Sequence, residues 1–215
     1  MPMALGLVET PSMSELFHRV PDPLRAHGAW VYLGLSVLAG LVLALPHHPV
    51  SSLAVGGIAV AGFILAGALA RKRHKQRRLL ISGILLLAST LLLFSRPIEP
   101  RVLAYAVPAT LLLLVTAMLA RRKGFFAPST LACGVMLLAL AAPACARAGG
   151  APRVPSLLLL ALLAPMFAWR CFHVRTGMLR GKISPKIGLR RVGMREAAVG
   201  LAWTTLSLAA LHAWT

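Results

Sequence analysis

Residues 102–120 read VLAYAVPATLLLLVTAMLA, a run without a single charged side chain. A helix needs about 20 apolar residues to cross the roughly 30 Å of hydrocarbon in a bilayer. This stretch therefore predicts a membrane-spanning helix, and six runs of similar character accompany it along the chain. The seven predicted spans are Ala29 to Leu45, Ser52 to Ala70, Leu79 to Ser95, Val102 to Ala120, Phe125 to Ala146, Ser156 to Phe172 and Ala197 to Trp214.

The basic residues between these runs are distributed unevenly. If successive connections lie on alternate sides of a membrane, one side holds all but four of the 23 Lys and Arg residues. The exceptions are Arg96, Arg101, Arg147 and Arg153. Short loops rich in Lys and Arg are retained in the cytoplasm. The sequence therefore predicts an all-α protein with a cytoplasmic N-terminus and an external C-terminus.

The formal net charge of +18 would suggest nucleic acid as the partner of a soluble domain. Here the basic residues interrupt hydrophobic spans instead, and we expect anionic lipid headgroups, at about 1 kcal/mol per basic residue near the surface. No nucleic-acid partner is expected. The connection after the second span is the predicted headgroup site, formed by Arg71, Lys72, Arg73, Lys75, Arg77 and Arg78.

The chain divides into a short tail and one membrane domain. Residues 1–26 form the predicted cytoplasmic tail, and residues 27–215 form the membrane domain, which leaves no room for a soluble catalytic domain. Within the tail, Ser12 and Glu15 have the spacing of a capping box. The tail therefore either carries a short helix at the membrane surface or is loosely ordered.

Small residues predict where helices approach closely, because helix association in lipid depends on packing. In the second span Gly57 and Ala61 lie four residues apart, and in the first span Ser36 and Gly40 do the same. This pattern predicts a tight pair of the first two helices.

Four prolines lie within the predicted spans: Pro108, Pro128, Pro143 and Pro165. Proline is tolerated in the first turn of a helix and kinks a helix interior. Pro128 lies near a predicted helix start, whereas Pro108 and Pro165 lie deeper and are expected to kink their helices.

Two short motifs resemble a known family. Residues 27–30 read HGAW after Pro23, and residues 192–196 read VGMRE after Pro185. In these motifs, and in the basic connection after the second span, the chain is similar to the YwiC-like family of bacterial membrane proteins. The resemblance implies a multi-pass protein of the bacterial cytoplasmic (inner) membrane. It does not imply a particular reaction.

Both motifs lie at the cytoplasmic side in the predicted topology, and they suggest one ligand site. Its candidate residues are His27, Trp30, Arg191, Arg195 and Glu196. A carboxylate near hydrocarbon seeks a basic partner, and Arg195, Arg191 or His27 could supply one. The alternative is a helix N-terminal glutamate favoured by the helix dipole, beside an ordinary interfacial histidine.

The remaining histidines allow a second, less favoured interpretation. His47, His48 and His212 lie at the outer ends of the first and last spans, and His27 and His173 lie at inner ends. Imidazoles from different helices are the ligands that a haem or an external metal would need. No cofactor is expected, since histidine is also common at membrane interfaces.

Three classes of function remain open. Enzymes that hold magnesium and a diphosphate need clustered aspartates, and this chain has a single Asp, Asp22. The sequence therefore favours a protein that binds or transports a small or lipid-like ligand over an enzyme. An accessory subunit of a larger membrane complex, or a homo-oligomer, is the main alternative.

Overall fold

A computed structural model describes residues 27–70, 75–95, 102–124, 127–179 and 188–214. Within these ranges every regular element is an α-helix. In chain order the helices are α1 (His27–Ala44), α2 (Pro49–Ala70), α3 (Lys75–Phe94), α4 (Leu103–Lys123), α5 (Pro128–Ala139), α6 (Ala141–Ala148), α7 (Arg153–Leu179) and α8 (Gly188–Trp214). The tail with its predicted capping box lies outside the described residues.

Five helical stretches in the described part of the chain are long and apolar enough to cross a membrane. They are Pro49–Ala68, Gln76–Phe94, Leu103–Lys123, Pro128–Ala148 and Arg153–Gly177. The helix Gly28–Ala44 is also apolar but shorter. In α8, 27 residues long, charged side chains occupy the first third. The described chain is thus all-α, as predicted, and has the helices of a membrane protein.

Helix α1 lies at the centre of the bundle, in contact with α2, α5, α6, α7 and α8. Its apolar side chains are buried on more than one side, since Leu33 and Leu35 point in different directions and both are buried. Leu159, Leu163 and Phe167 contribute the matching face of α7. In a bilayer a helix surrounded by other helices can carry polar side chains out of contact with lipid. Helix α1 can therefore contribute polar groups to a buried site.

The backbones of α1 and α6 approach each other closely in the core. A Cβ added at Gly40 would overlap the Ala142 carbonyl oxygen and lie 2.6 Å from the Cβ of Cys145. The backbones can meet this closely only because residue 40 has no side chain. Gly40 therefore fixes the position of the short helix α6 against the centre of the bundle.

The small residues expected to pair α1 with α2 mostly contact other helices. Gly57 lies against Ser89 of α3, and Gly40 lies against α6. Gly56 does approach Val37 of α1, where an added Cβ would lie 2.6 Å from Cγ1. The expectation of a tight α1–α2 pair is corrected accordingly, because small residues show that something packs closely without showing which helix it is.

The fifth predicted span is divided at Leu140 into α5 and α6. Pro143 has no N–H to donate to the Ala139 carbonyl, and its ring crowds that carbonyl. This explains why the helix is interrupted there. Pro128 is in the first turn of α5, as predicted. Helices α4 and α7 run through Pro108 and Pro165 without interruption.

Helices α3 and α4 lie at the periphery. Helix α4 has no buried residue and packs against α5. Most of the large side chains of α3 and α4 are exposed, including Leu87, Leu91, Leu111 and Leu114. In a bilayer these apolar surfaces suit contact with lipid.

Contacts between helix ends show that α1 and α2 run in opposite directions and that the end of α1 lies beside the end of α6. At one end, Trp30 contacts Phe63 with ring centroids 4.9 Å apart, and Arg78 donates to the Gly67 carbonyl. At the other end, the His48 N–H donates to the Gly149 carbonyl at 2.9 Å. We call the first end the basic end, after its residues Arg77, Arg78, Arg121, Arg122, Lys123, Arg175 and Arg195.

Candidate functional site

A buried ion pair joins α7 to α8. The Arg170 Nε donates to Glu196 Oε2 at 2.7 Å, and the Arg170 Nη2 pairs with Glu196 Oε1. The two residues are only 8% and 6% exposed. The guanidinium and the carboxylate thus meet edge to edge in the bidentate geometry that gives the strongest charge-assisted hydrogen bonds. Neither charge is left to lipid or water.

The pair lies well inside the helices rather than at their ends. Arg170 precedes Gly177, the end of the apolar stretch of α7, by seven residues, or about 10 Å at the rise of an α-helix. Glu196 follows Gly188, the start of α8, by eight residues. The last helix begins nine residues before its predicted start at Ala197. Glu196 is therefore not in the first turn of its helix, and the dipole explanation for this glutamate does not hold.

Helix α1 supplies the third wall of the site. The Tyr32 ring stacks on Phe167 with centroids 4.5 Å apart, and Tyr32 is only 3% exposed. The Cys171 side chain of α7 lies beside the Tyr32 hydroxyl. Residues 170 and 171 thus face Glu196 and Tyr32 from a single turn of α7. The site is built from three helices, of which α1 is distant in sequence from α7 and α8.

Trp169 borders the ion pair on the exposed side. The Arg170 guanidinium carbon lies 5.5 Å from the Trp169 ring centroid, within the range of a cation–π contact. The Trp169 ring also lies near His173, with centroids 6.3 Å apart. Trp169 is 60% exposed, so this aromatic pair lies at the surface of the bundle next to the site.

Small and hydroxyl side chains follow Glu196 along α8 and follow Tyr32 along α1. On α8, Gly200, Thr204 and Ser207 are buried at helical spacing after Glu196. The Thr204 hydroxyl donates to the Gly200 carbonyl at 2.8 Å. On α1, Ser36 lies one turn from Tyr32, is fully buried, and has no hydrogen-bond partner for its hydroxyl.

The predicted ligand residues are placed differently from one another. Glu196 is at the centre of the site and Arg195 beside it is exposed. Trp30 is half-buried and its ring contacts Phe63 of α2. His27 begins α1 and Arg191 lies in the first turn of α8, and their side chains are outside the described part.

Of the predicted headgroup residues, Arg71, Lys72 and Arg73 lie outside the described residues. Lys75, Arg77 and Arg78 lie in the first turn of α3, which starts four residues before its predicted boundary. Arg77 is exposed, whereas Arg78 is half-buried and donates to the Gly67 carbonyl at 3.3 Å. Arg78 therefore ties α3 to α2 in addition to carrying charge at the basic end.

The histidines of the metal hypothesis lie at the end opposite to the ion pair. His47 and His48 are exposed next to Gly150, and His212 is exposed near the end of α8. Among the described residues, no three His, Cys, Asp or Glu side chains come together as a metal site.

Arg170 is the functional residue that the sequence analysis did not single out. It was counted with the basic connection after the sixth span, yet it lies inside that span as predicted, Ser156 to Phe172. No other Lys or Arg lies within the seven predicted spans. Because a cation inside a span is costly without a partner, this position was the signal that could have identified it.

Comparison with known proteins adds no relative to this description. No family model, no curated protein and no solved structure matches the chain.

Proposed function

We propose that this chain binds or transports a small or lipid-like ligand at the site centred on Arg170 and Glu196, without redox or hydrolytic chemistry of its own. One observation carries the proposal: a bidentate ion pair is buried among apolar helices, about 10 Å inside the apolar stretch of α7. Charged side chains in such a position are expensive and usually mark a ligand or ion pathway. A purely structural contact at this place could be made by apolar side chains at no cost in stability.

We further propose that the chain crosses the bacterial inner membrane seven times, in the manner of YwiC-like proteins, with the N-terminus inside. Five helices of suitable length, the apolar α1 and the long α8 are consistent with seven crossings. The uneven distribution of basic residues supports the orientation. A reporter fused after Thr215 tests it: a reporter that is active only in the cytoplasm would overturn the proposed external C-terminus.

Native mass spectrometry of the protein in mild detergent tests the ligand proposal. We expect the wild type to carry an additional mass of a small molecule or lipid. The matched control is the double variant Arg170→Gln with Glu196→Gln, which removes both charges together and leaves no unpaired buried charge. We expect the double variant to fold and to lose the additional mass. Equal retention of that mass by both proteins would exclude the ion pair as the binding site.

A second candidate function is an accessory subunit of a larger membrane complex. The observation in its favour is α4, which has no buried residue and exposes Leu111 and Leu114 on its outer surface. A partner protein recovered at fixed stoichiometry in the same mass spectrum would favour this role. A single species carrying lipid would favour the first.

A further inference from the structure

We propose that Arg170 is an oxyanion-binding residue whose site Glu196 occupies, and that a carboxylate or phosphate monoester of the ligand takes the place of Glu196 when Glu196 is protonated. This inference rests on the proposed function and names the chemical class of its ligand. Binding of one monoanion is then accompanied by uptake of one proton, and the charge of the site does not change.

The geometry of the ion pair is the first argument. The Nε and Nη2 edge of Arg170 holds two coplanar carboxylate oxygens. A ligand carboxylate presents the same two oxygens at the same spacing, and a phosphate monoester presents a similar edge. The side chain of Glu196 thus shows which chemical group the site accepts.

Charge balance is the second argument. A guanidinium cannot lose its proton in a protein, whereas a carboxylate can gain one. When Glu196 is protonated, Arg170 becomes a buried cation without a counter-ion, which is unfavourable in an apolar setting. A neutral ligand cannot correct this, but an anion can. The site therefore selects anions over neutral molecules of similar shape.

The surroundings provide further donors and no competing acid. The Ser36 hydroxyl is fully buried, lacks a hydrogen-bond partner, and lies one turn from Tyr32 on the same side of α1. It offers a donor to an additional ligand oxygen. Glu196 is the only acidic residue within the described ranges, so no second carboxylate there competes for Arg170.

Few titratable groups accompany Glu196. Among the described side chains, those on the packed helices are Tyr32 from α1 and Arg170 with Cys171 from α7, and His173 follows on α7 beside Trp169. Arg195 is the exposed neighbour on α8. Because Glu196→Gln retains Tyr32, Cys171 and His173, loss of the pH dependence of formate binding in that variant assigns the proton-linked response to Glu196.

The test measures anion binding by the thermal unfolding of the purified full chain in detergent. Formate is the probe for a pH series from about pH 8 to about pH 5, because it stays ionised throughout. We expect the apparent affinity of the wild type for formate to rise by up to tenfold per pH unit as the pH falls, until Glu196 is protonated. Formate affinity that does not change with pH would overturn the proposal.

Two variants make the result specific. Glu196→Gln should bind formate with the acidic wild-type affinity at every pH, and formate should raise its melting temperature. The double variant Arg170→Gln with Glu196→Gln should not respond to formate, and a response equal to that of the wild type would overturn the assignment to Arg170. If Glu196→Gln fails to fold, the pH series of the wild type against the double variant decides alone.

The source of the anion is identified by comparing how formate, phosphate and oleate raise the melting temperature. The comparison uses Glu196→Gln at neutral pH, or the wild type near pH 5. A response to formate or phosphate indicates a soluble ligand, and a response to oleate alone indicates a lipid-borne headgroup. No response to any of the three would overturn the proposal. If the wild type carries a bound neutral molecule, the proposal of an anionic ligand is refuted, while the proposed ligand site stands. If the formate affinity depends on pH as expected but no bound molecule is found, the anion-binding role of Arg170 stands, while the proposed ligand is not supported.

Discussion

Two arginines of this protein are buried to the same extent but are stabilised in different ways. Arg147 and Arg170 are each 8% exposed, at opposite ends of the bundle. Arg147 donates to the Ala151 carbonyl at 2.6 Å, four residues along the chain. Arg170 pairs with a carboxylate 26 residues away on another helix. A hydrogen bond from a side chain to a nearby carbonyl stabilises a turn. An ion pair between two helices neutralises two buried charges, and this neutrality can be changed by a proton or a charged ligand.

The largest effect is expected at the ion pair. Glu196→Gln leaves a permanently charged guanidinium buried without a counter-ion, and we expect a loss of about 3–5 kcal/mol in the free energy of unfolding. Arg170→Gln should cost less, since the remaining carboxylate can take up a proton. The double variant should recover most of the loss. Thermal and denaturant unfolding in detergent measure all three.

Arg195→Gln is the matched control for these variants, because it removes a charge one residue from Glu196 at an exposed position. A loss within about 0.5 kcal/mol is expected. If Arg195→Gln destabilises the protein as much as Glu196→Gln does, the loss of stability would come from any change of charge on α8 and not from the Arg170–Glu196 ion pair.

The next largest loss of stability is expected where α1 packs against α6, the helix that carries Arg147. Gly40→Ala places a Cβ against the backbone of Ala142 in α6, which cannot move as a side chain can. We expect a loss of about 3 kcal/mol in stability, typical of overpacking. Gly34→Ala, on the same helix with nothing within 4 Å of the added Cβ, is the control. It should be neutral or slightly stabilising, since alanine favours helix more than glycine does by about 1 kcal/mol. Similar melting temperatures for the two variants would show that α6 is not fixed by Gly40.

Arg147→Gln sharpens the comparison directly. The substitution removes the hydrogen bond to the Ala151 carbonyl together with the charge of the guanidinium. We expect a loss of about 2 kcal/mol, less than for Glu196→Gln. Because the Arg170–Glu196 site is intact in this variant, its response to formate should equal that of the wild type. A weaker response than that of the wild type would show that both buried arginines bind anions, and the contrast between the two would fail.

The smallest loss of stability is expected at a hydrogen bond between α7 and α8. The Trp203 indole N–H donates to the Leu162 carbonyl at 3.0 Å, next to the Ala161 carbonyl that Pro165 leaves without its helical donor. Trp203→Phe keeps the aromatic ring and removes the donor, so a loss of about 1 kcal/mol is expected. An unchanged melting temperature would mean that this bond does not contribute to α7–α8 docking.

Much of the fold follows from the sequence because apolar runs and their connections are local properties. The helical content and the position of most spans were predictable from the length and composition of each run. Helix ends were less so: α7 and α8 extend through stretches rich in Arg, since a helix continues beyond the membrane as long as its backbone bonds do. The break at Leu140 follows from Pro143, but its position was not predicted.

The site was predictable only in part, because local sequence properties do not show which helices pack together. Glu196 could be selected as the acidic residue nearest to a hydrocarbon boundary. Its partner could not be read from spacing, because the pairing of α7 with α8 depends on how three helices pack around Phe167 and Tyr32. The bond of Arg147 to Ala151, by contrast, is set by a spacing of four residues.

The distance of 26 residues between Arg170 and Glu196 also constrains how the protein is made. While the chain is synthesised, α7 emerges before α8, and its arginine enters the insertion machinery without its counter-ion. An arginine within a membrane helix costs up to about 3 kcal/mol on insertion scales, the full cost applying at the helix centre. Helices α7 and α8 should therefore enter the bilayer as a hairpin, and a chain truncated before Glu196 should leave α7 poorly inserted and open to quality-control proteases.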